Sequence, residues 1–180
     1  KISYLFPRAH AVAYVMMAFR IAWFKVYHPL AFYAAYFSIR AKAFDLRIMT
    51  GDLNTQLKEF NRIKALDRGA SPKEKDLMTA LEVSMEMYQR GYRFINVDIQ
   101  HSGARRFSIK DGALLPPFLA IDSLGETVAD AIVEERDTKP FTSLKDLQRR
   151  CKVSATIIET MKELKCCGDL PEDEQMSLFG

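Results

Sequence analysis

Apolar positions recur at helical spacing along most of this chain, with one central stretch where the period drops to two. Residues 6–28 run FPRAHAVAYVMMAFRIAWFKVYH, with Pro7 suited to a first helical turn and no further Pro or Gly until Pro29. That predicts one helix of about 22 residues, roughly 30 Å long. Ala9, Ala13, Met16, Met17, Phe19 and Phe24 are expected to pack, leaving Arg8, His10, Tyr14, Arg20 and Lys25 for other roles. His28-Pro29 breaks the pattern, because a residue before proline resists helical angles. Residues 30–43 predict a second helix too apolar to stand alone, with Phe32, Tyr33, Tyr36 and Phe37 against the first. Leu53, Leu57, Phe60 and Ile63 predict a further helix within residues 45–69. Ser71-Pro72-Lys73-Glu74 is a capping-box start for a helix carrying Leu77, Leu81, Met85 and Tyr88, closed by Gly91.

Beyond Gly91 the pattern alternates over residues 93–99 and again over 105–110, and Asp111-Gly112 signals a tight turn before Ala113-Leu114-Leu115. A small antiparallel sheet is the expectation. Pro116-Pro117 stops it, and a short helical piece then leads through Ser123-Leu124-Gly125 into a second helix carrying Val128, Ala131, Ile132 and Val133. A further helix starts at Ser143, with Asp146 as its expected capping partner and Leu144, Leu147 and Cys151 inside. Lys152-Val153-Ser154 turns into a last helix over residues 155–165.

Composition narrows the picture modestly. The net charge is +3, but residues 1–50 hold seven Lys or Arg against Asp45 alone, and residues 151–180 hold three against six Asp or Glu. A basic front and an acidic tail suit different partners. Arg40, Lys42 and Arg47 follow the second helix, either compensating its dipole or touching a phosphate backbone. Arg105 and Arg106 carry the same two readings. Cys151, Cys166 and Cys167 cannot all pair and imply a reducing compartment; a zinc site would need His101 to join their irregular spacing. The uninterrupted apolar runs, residues 11–19 and 30–37, fall short of the roughly 20 needed to span a bilayer, so no membrane is expected. The chain begins with Lys1 and is read as an internal fragment.

The first helix holds chemistry beyond packing. Arg8 in its first turn is unfavourable beside the helix dipole unless an anion is to be bound there. Backbone N–H groups, a guanidinium and an imidazole together fit a polyphosphate, and His10 and Tyr14 share a face. A well-packed helix with incidental polar residues is the alternative. The run Phe6-Pro7-Arg8-Ala9-His10-Ala11-Val12-Ala13-Tyr14 resembles the nucleotide-contacting fingers helix of bacterial replicative DNA polymerase III alpha subunits of the PolC type, with Arg8 where Lys is more usual. The resemblance extends over essentially all 180 residues. Residues 118–136 resemble a helix-hairpin-helix, with Gly125 in its motif place and Ser123 where glycine is usual; residues 143–165 repeat the outline without glycines. The closing Gln175-Met176-Ser177-Leu178-Phe179 resembles a bacterial sliding-clamp binding peptide, following a mobile acidic run at Glu172, Asp173 and Glu174.

The resemblance implies a mainly α fold with a small antiparallel β element (α+β), helical fingers followed by tandem helix-hairpin-helix. Residues 1–90 would be fingers, 91–170 a duplex-binding region, and 171–180 a flexible clamp-binding tail. Arg8, His10 and Tyr14 would meet the triphosphate of an incoming dNTP. Ser123, Leu124, Gly125, Thr127 and Ser154 would meet the duplex backbone, and Gln175, Met176, Leu178 and Phe179 the sliding clamp. The parent would be a DNA-directed DNA polymerase in the bacterial cytoplasm, at the nucleoid or replisome, whose palm carboxylates hold Mg2+. This fragment would carry no catalytic residue, metal or cofactor of its own, would be inactive alone, and would pack on the missing palm and thumb. A non-enzymatic DNA-structure-binding module and a structural partner-binding protein are the other readings that the residues allow.

Overall fold

The computed structural model describes residues 7–173. Eight α-helices and one hairpin follow in order: α1 Arg8–Tyr27, α2 Pro29–Ile39, α3 Leu46–Met49, α4 Leu53–Ala65, α5 Pro72–Gln89, β1 Ser108–Lys110, β2 Ala113–Leu115, α6 Glu126–Thr138, α7 Leu144–Cys151 and α8 Ala155–Glu163. Two 3-10 turns, Asp67–Gly69 and Phe118–Ala120, precede α5 and α6. The class is the expected one, mostly helical with a small antiparallel sheet.

The helix starts follow their caps. Ser71 accepts from the Glu74 N–H while the Glu74 carboxylate accepts from the Ser71 N–H, and Gly91 ends the following stretch at φ +84°. Asp45 and Asp52 cap α3 and α4 by accepting from Ile48 and Thr55. The single helix expected within residues 45–69 is therefore two, with a 3-10 turn after them.

Where the chain departs from expectation, a packing or hydrogen-bonding demand explains it. α2 ends at Ile39, four residues early, and the chain that follows carries Phe44 to the Phe37 ring. The α2 side chains Tyr33 and Phe37 are buried, with rings 92, 94 and 107 beside them, while Phe32 meets α1 through the Lys25 ammonium. No residue of α1 is buried, so the packing predicted for Ala9, Ala13, Met16, Met17, Phe19 and Phe24 is not made within these residues. Its apolar side chains surround the whole helix, and one neighbour cannot cover them. By length and composition α1, with a mean hydropathy of 1.2, is long and apolar enough to cross a membrane. The uninterrupted runs in the sequence stop at Arg20; the helix does not.

Residues 93–99 are not a strand of the sheet. They make one parallel bridge, Phe94 with Leu114, and then their backbone groups find other partners. Val97 N–H donates to the Asn96 side chain at 2.8 Å, Asp98 N–H to Ser102 Oγ at 3.0 Å, and Ile99 N–H to the Cys166 carbonyl at 3.0 Å. The Asn96 amide donates to the Leu164 carbonyl. Alternation made the stretch extended; attachment to the end of α8 kept it out of the ladder. The hairpin itself pairs Ser108 with Leu115 and Lys110 with Ala113, around Asp111 and Gly112, both at positive φ.

Two hydrophobic clusters result. One gathers α2 to α5 with Phe94 and Leu114, and the other gathers residues 97–124 with α6, α7 and α8. Inside the first, buried Gln56 donates to the Met49 carbonyl at 3.1 Å and accepts from Ser84 at 2.6 Å, while Tyr88 donates to the same carbonyl at 2.8 Å. Periodicity pointed to Leu57 on this helix, yet Leu57 is exposed. Four rings stand together at the edge of the first cluster. Phe94 lies 4.9 Å from Phe37 and 5.2 Å from Phe44, and Phe44 lies 5.0 Å from Phe107, in edge-to-face geometry. Phe44 packs against both clusters. Phe94→Ala should lower unfolding stability by about 3–5 kcal/mol, the usual cost of emptying a buried phenylalanine site, in urea titrations of the protein and variant.

Candidate nucleic-acid interface

Two turns share one backbone form. In the first, Ser123 takes φ +64°, Leu124 is buried, and Gly125 is extended at φ −76°, ψ 159° as the N-cap of α6. In the second, Lys152 takes φ +53°, Val153 is buried, and Ser154 is extended at φ −69°, ψ 153° as the N-cap of α8, its hydroxyl accepting from Ile157 N–H at 3.3 Å. A left-handed residue reverses the chain, the apolar residue pins the turn to the core, and the extended cap opens a helix whose first N–H groups have no intrahelical partner. Thr127, like Ser123 and Gly125, is exposed. Ser123 and Lys152 thus occupy the conformation that glycine adopts without strain. Lys152 escaped the sequence reading. The signal was the matching order of a turn residue, an apolar residue and a capping residue.

The arm before the first turn is the 3-10 piece Phe118–Ala120, shorter than a helix. Its first N–H groups are already used, Phe118 donating to Gly103 at 2.9 Å and Leu119 to Ala104 at 3.1 Å.

Arg105, which the sequence offered as a phosphate contact or an exposed cation, is committed to α6. Its Nε donates to Asp130 at 3.1 Å, and its guanidinium also pairs with Glu126. The Arg105 hydrogen bond holds the Asp130 carboxyl below the ordinary carboxylate range. Lys42 lies across a cleft of about 300 Å³ from this turn, lined also by Phe107, Asp122, Ser123 and Leu124. It makes no ion pair among the described residues.

One guanidinium joins the two hairpins. Arg150 on α7 donates to Glu135 at 3.0 Å, to the Lys139 carbonyl at 2.9 Å and to Asp146 at 3.2 Å, and stands over the Phe141 ring at 4.6 Å. Asp146 does not close the expected capping box on Ser143. Ser143 Oγ accepts from Asp146 N–H at 3.0 Å, but the return bond goes to Thr142 N–H at 3.3 Å. The first two N–H groups of α7 are covered by the chain's own later residues: Leu144 donates to Pro171 at 2.9 Å and Lys145 to Glu172 at 3.2 Å.

On α1, Arg8, His10 and Tyr14 are exposed. His10 and Tyr14 meet edge to face with ring centroids 4.5 Å apart. Arg8 does not share their side, because residues two apart project to nearly opposite faces of a helix. Gln175, Met176, Leu178 and Phe179 lie outside the described residues. The three cysteines are buried thiols, and burial pushes Cys151 up to about 11. His101 instead meets Asp98, Nδ1 to Oδ2 at 2.6 Å. Among the described residues no three His, Cys, Asp or Glu side chains converge as a metal ion requires.

Residues 91–176 match a family model described as a helix-hairpin-helix motif. A protein named DNA polymerase III PolC-type from Caldanaerobacter subterraneus subsp. tengcongensis is 50% identical over 179 residues, covering 99% of this chain and 13% of its own length. One of the same name from Streptococcus pyogenes is 47% identical over 181 residues, covering 99% of this chain and 12% of its own. The chain therefore spans about an eighth of the length of these relatives.

Asp146 carries a pH prediction. Burial works to raise its carboxyl, but hydrogen bonds from Arg149, the Thr142 N–H and Arg150 outweigh it, so the group is held below its ordinary value. A depressed native pKa stabilises the fold above the unfolded value of about 3.9 and loses that contribution as pH falls through the native value. Between pH 7 and pH 3 the protein should lose more stability than Asp146→Asn, in urea melts at both pH values.

Proposed function

The chain belongs to the PolC-type DNA polymerase III family, as a segment of it, and on that basis we propose that it holds the primer-template duplex by its backbone within a replicative polymerase. The carrying observation is the duplicated turn at residues 123–125 and 152–154. Gly125 has ordinary extended angles, and a Cβ there would meet nothing within 4 Å. The fold asks little of glycine at that position, since other residues cap helices at least as well. A phosphate approaching the α6 N-terminus does benefit from the missing side chain. Ser123, Leu124, Gly125, Thr127 and Ser154 form this contact set in our reading, with Lys152 beside them.

In the same reading residues 1–90 are fingers, 91–170 the duplex-binding region and 171–180 a clamp-binding tail. The start of α1 at Arg8, directly after Pro7, supports a dNTP role, with Arg8 neutralising triphosphate charge, His10 donating to it and Tyr14 shaping the pocket. Gln175, Met176, Leu178 and Phe179 bind the sliding clamp through two apolar anchors and one amide. In this reading nucleotidyl transfer and its Mg2+ belong to palm carboxylates of the parent, and the segment alone is silent. The parent works in the cytoplasm at the replisome.

Gly125→Ala should weaken duplex binding roughly 10-fold, as expected when about 1.4 kcal/mol of backbone contact is lost, with little change in melting temperature. Fluorescence anisotropy across a salt series reads this, and unchanged affinity would sink the hairpin assignment. In the whole polymerase, Arg8→Ala should lower kcat/KM for nucleotide roughly 10- to 1,000-fold, as for a lost charge-assisted contact; steady-state kinetics equal to the parent's would remove Arg8 from the site. Calorimetric titration of a sliding clamp should show micromolar binding, on the order of 8 kcal/mol, that Leu178→Ala with Phe179→Ala abolishes. Binding that survives the double change would point elsewhere on the chain.

A further inference from the structure

We propose that Lys42, on the loop that leaves α2, holds a backbone phosphate of the duplex strand gripped by the turn at residues 123–125, so that the duplex contact runs beyond the helix-hairpin-helix region onto the front half of the chain. The inference rests on the reading of that turn as a duplex contact.

Arg40, Lys42 and Arg47 follow α2, and the fold gives each a different place. Arg47 pairs with Glu163 at 2.6 Å. Arg40 is the C-cap of α2, its N–H donating to the Tyr36 carbonyl at 2.8 Å. Lys42 stands past the end of α2 at Ile39, beyond the last turn, over which a helix dipole is felt. It is exposed and makes no ion pair among the described residues. Its backbone is nevertheless fixed on both sides. Ala41 N–H donates to the Tyr36 carbonyl at 3.0 Å, Phe44 lies 6.1 Å from Phe37 and 5.0 Å from Phe107, and Ser38 Oγ accepts from Phe107 N–H at 2.9 Å. Only the Lys42 side chain has to be ordered when an anion arrives.

The location identifies the anion. Lys42 forms one wall of the cleft of about 300 Å³ whose other wall carries Asp122, Ser123 and Leu124, just before α6. Arg105 also lines this cleft, but Glu126 and Asp130 already neutralise that guanidinium. The charges left over are the Lys42 ammonium and the exposed Asp122 carboxylate. A phosphate drawn to the first N–H groups of α6 passes beside Asp122, and Lys42 is the cation placed to offset that repulsion. An ammonium meets a phosphodiester as a point charge and reads no base, as a backbone contact requires. Lys42 also lies outside residues 91–176, which match the helix-hairpin-helix model.

Fluorescence anisotropy of a blunt duplex with the full-length polymerase that carries this segment tests the proposal. Each phosphate contact contributes about −0.9 to the slope of log K against log salt. Lys42→Gln should make that slope shallower by about 0.9, so that its deficit against the parent shrinks about threefold between roughly 50 and 200 mM salt. Lys42→Arg should keep the parent slope. A neutral methylphosphonate at the contacted position should weaken binding by the parent and leave binding by Lys42→Gln unchanged. A parent slope in Lys42→Gln would overturn the proposal. So would an equal change in Lys73→Gln, an exposed lysine outside the cleft, since net charge alone would then be the cause. A change seen only when the duplex carries a single-stranded template overhang would overturn it in favour of an unpaired strand. Gly125→Ala in the same titration reports the turn separately: weaker binding there with an unaltered Lys42→Gln defeats only the Lys42 contact, and the reverse pattern defeats only the reading of the turn.

Discussion

Everything in this fold turns on four phenylalanines that arrive from four separate stretches. Phe37 comes from α2, Phe44 from the loop that leaves it, Phe94 from the extended run after α5, and Phe107 from the approach to β1. Edge-to-face packing fixes their mutual orientation as well as their proximity. The cluster therefore sets where the helices of the front half stand relative to the hairpins of the back half. Three of these rings, Phe37, Phe44 and Phe107, line the cleft beside Ser123, so that turn and the joint between two cores share a foundation.

Charge is arranged with similar economy. A net charge of +3 would suggest weak attraction to nucleic acid, and many of the arginines are already engaged inside the protein. Arg105 is taken up by Glu126 and Asp130, Arg150 by Glu135, Asp146 and backbone carbonyls, and Arg136 by the carbonyls of Ile99 and Ser102. The exposed residues at the two turns are Ser123, Gly125, Thr127, Lys152 and Ser154. Such groups suit recognition of a backbone and carry no sequence preference.

Local rules were the legible part of the sequence. The Ser71 and Glu74 box, the Asp111-Gly112 turn, the Ser143 cap and the helix-hairpin-helix outline all read directly, because each depends on residues within four positions of one another. Long-range demands were hidden. Nothing near Asn96 announces that its amide reaches the carbonyl of Leu164, and nothing near Gln56 announces that it is buried to join Met49 and Ser84. Leu57 had the right spacing and the wrong side. α1 marks a different kind of limit: its sequence pattern called for burial, and the residues described here bury none of it. The second turn carries no glycine to mark it in sequence, since its backbone form tolerates lysine at the left-handed position.

The attachment of residues 171–173 to α7 has a mechanical consequence. The Pro171 and Glu172 carbonyls hold the first N–H groups of α7, and Asp173 and Glu172 pair with Lys145 and Lys162. Tension applied beyond residue 173 is borne first by these few bonds at the mouth of the second hairpin, before either core feels it. Since Arg150 ties that hairpin to the C-terminal end of α6, a pull on the tail is passed to that end of α6. A tether there would act as a lever on the pair of turns, and the Lys145 and Lys162 ion pairs would be the fuse that yields before the fold does.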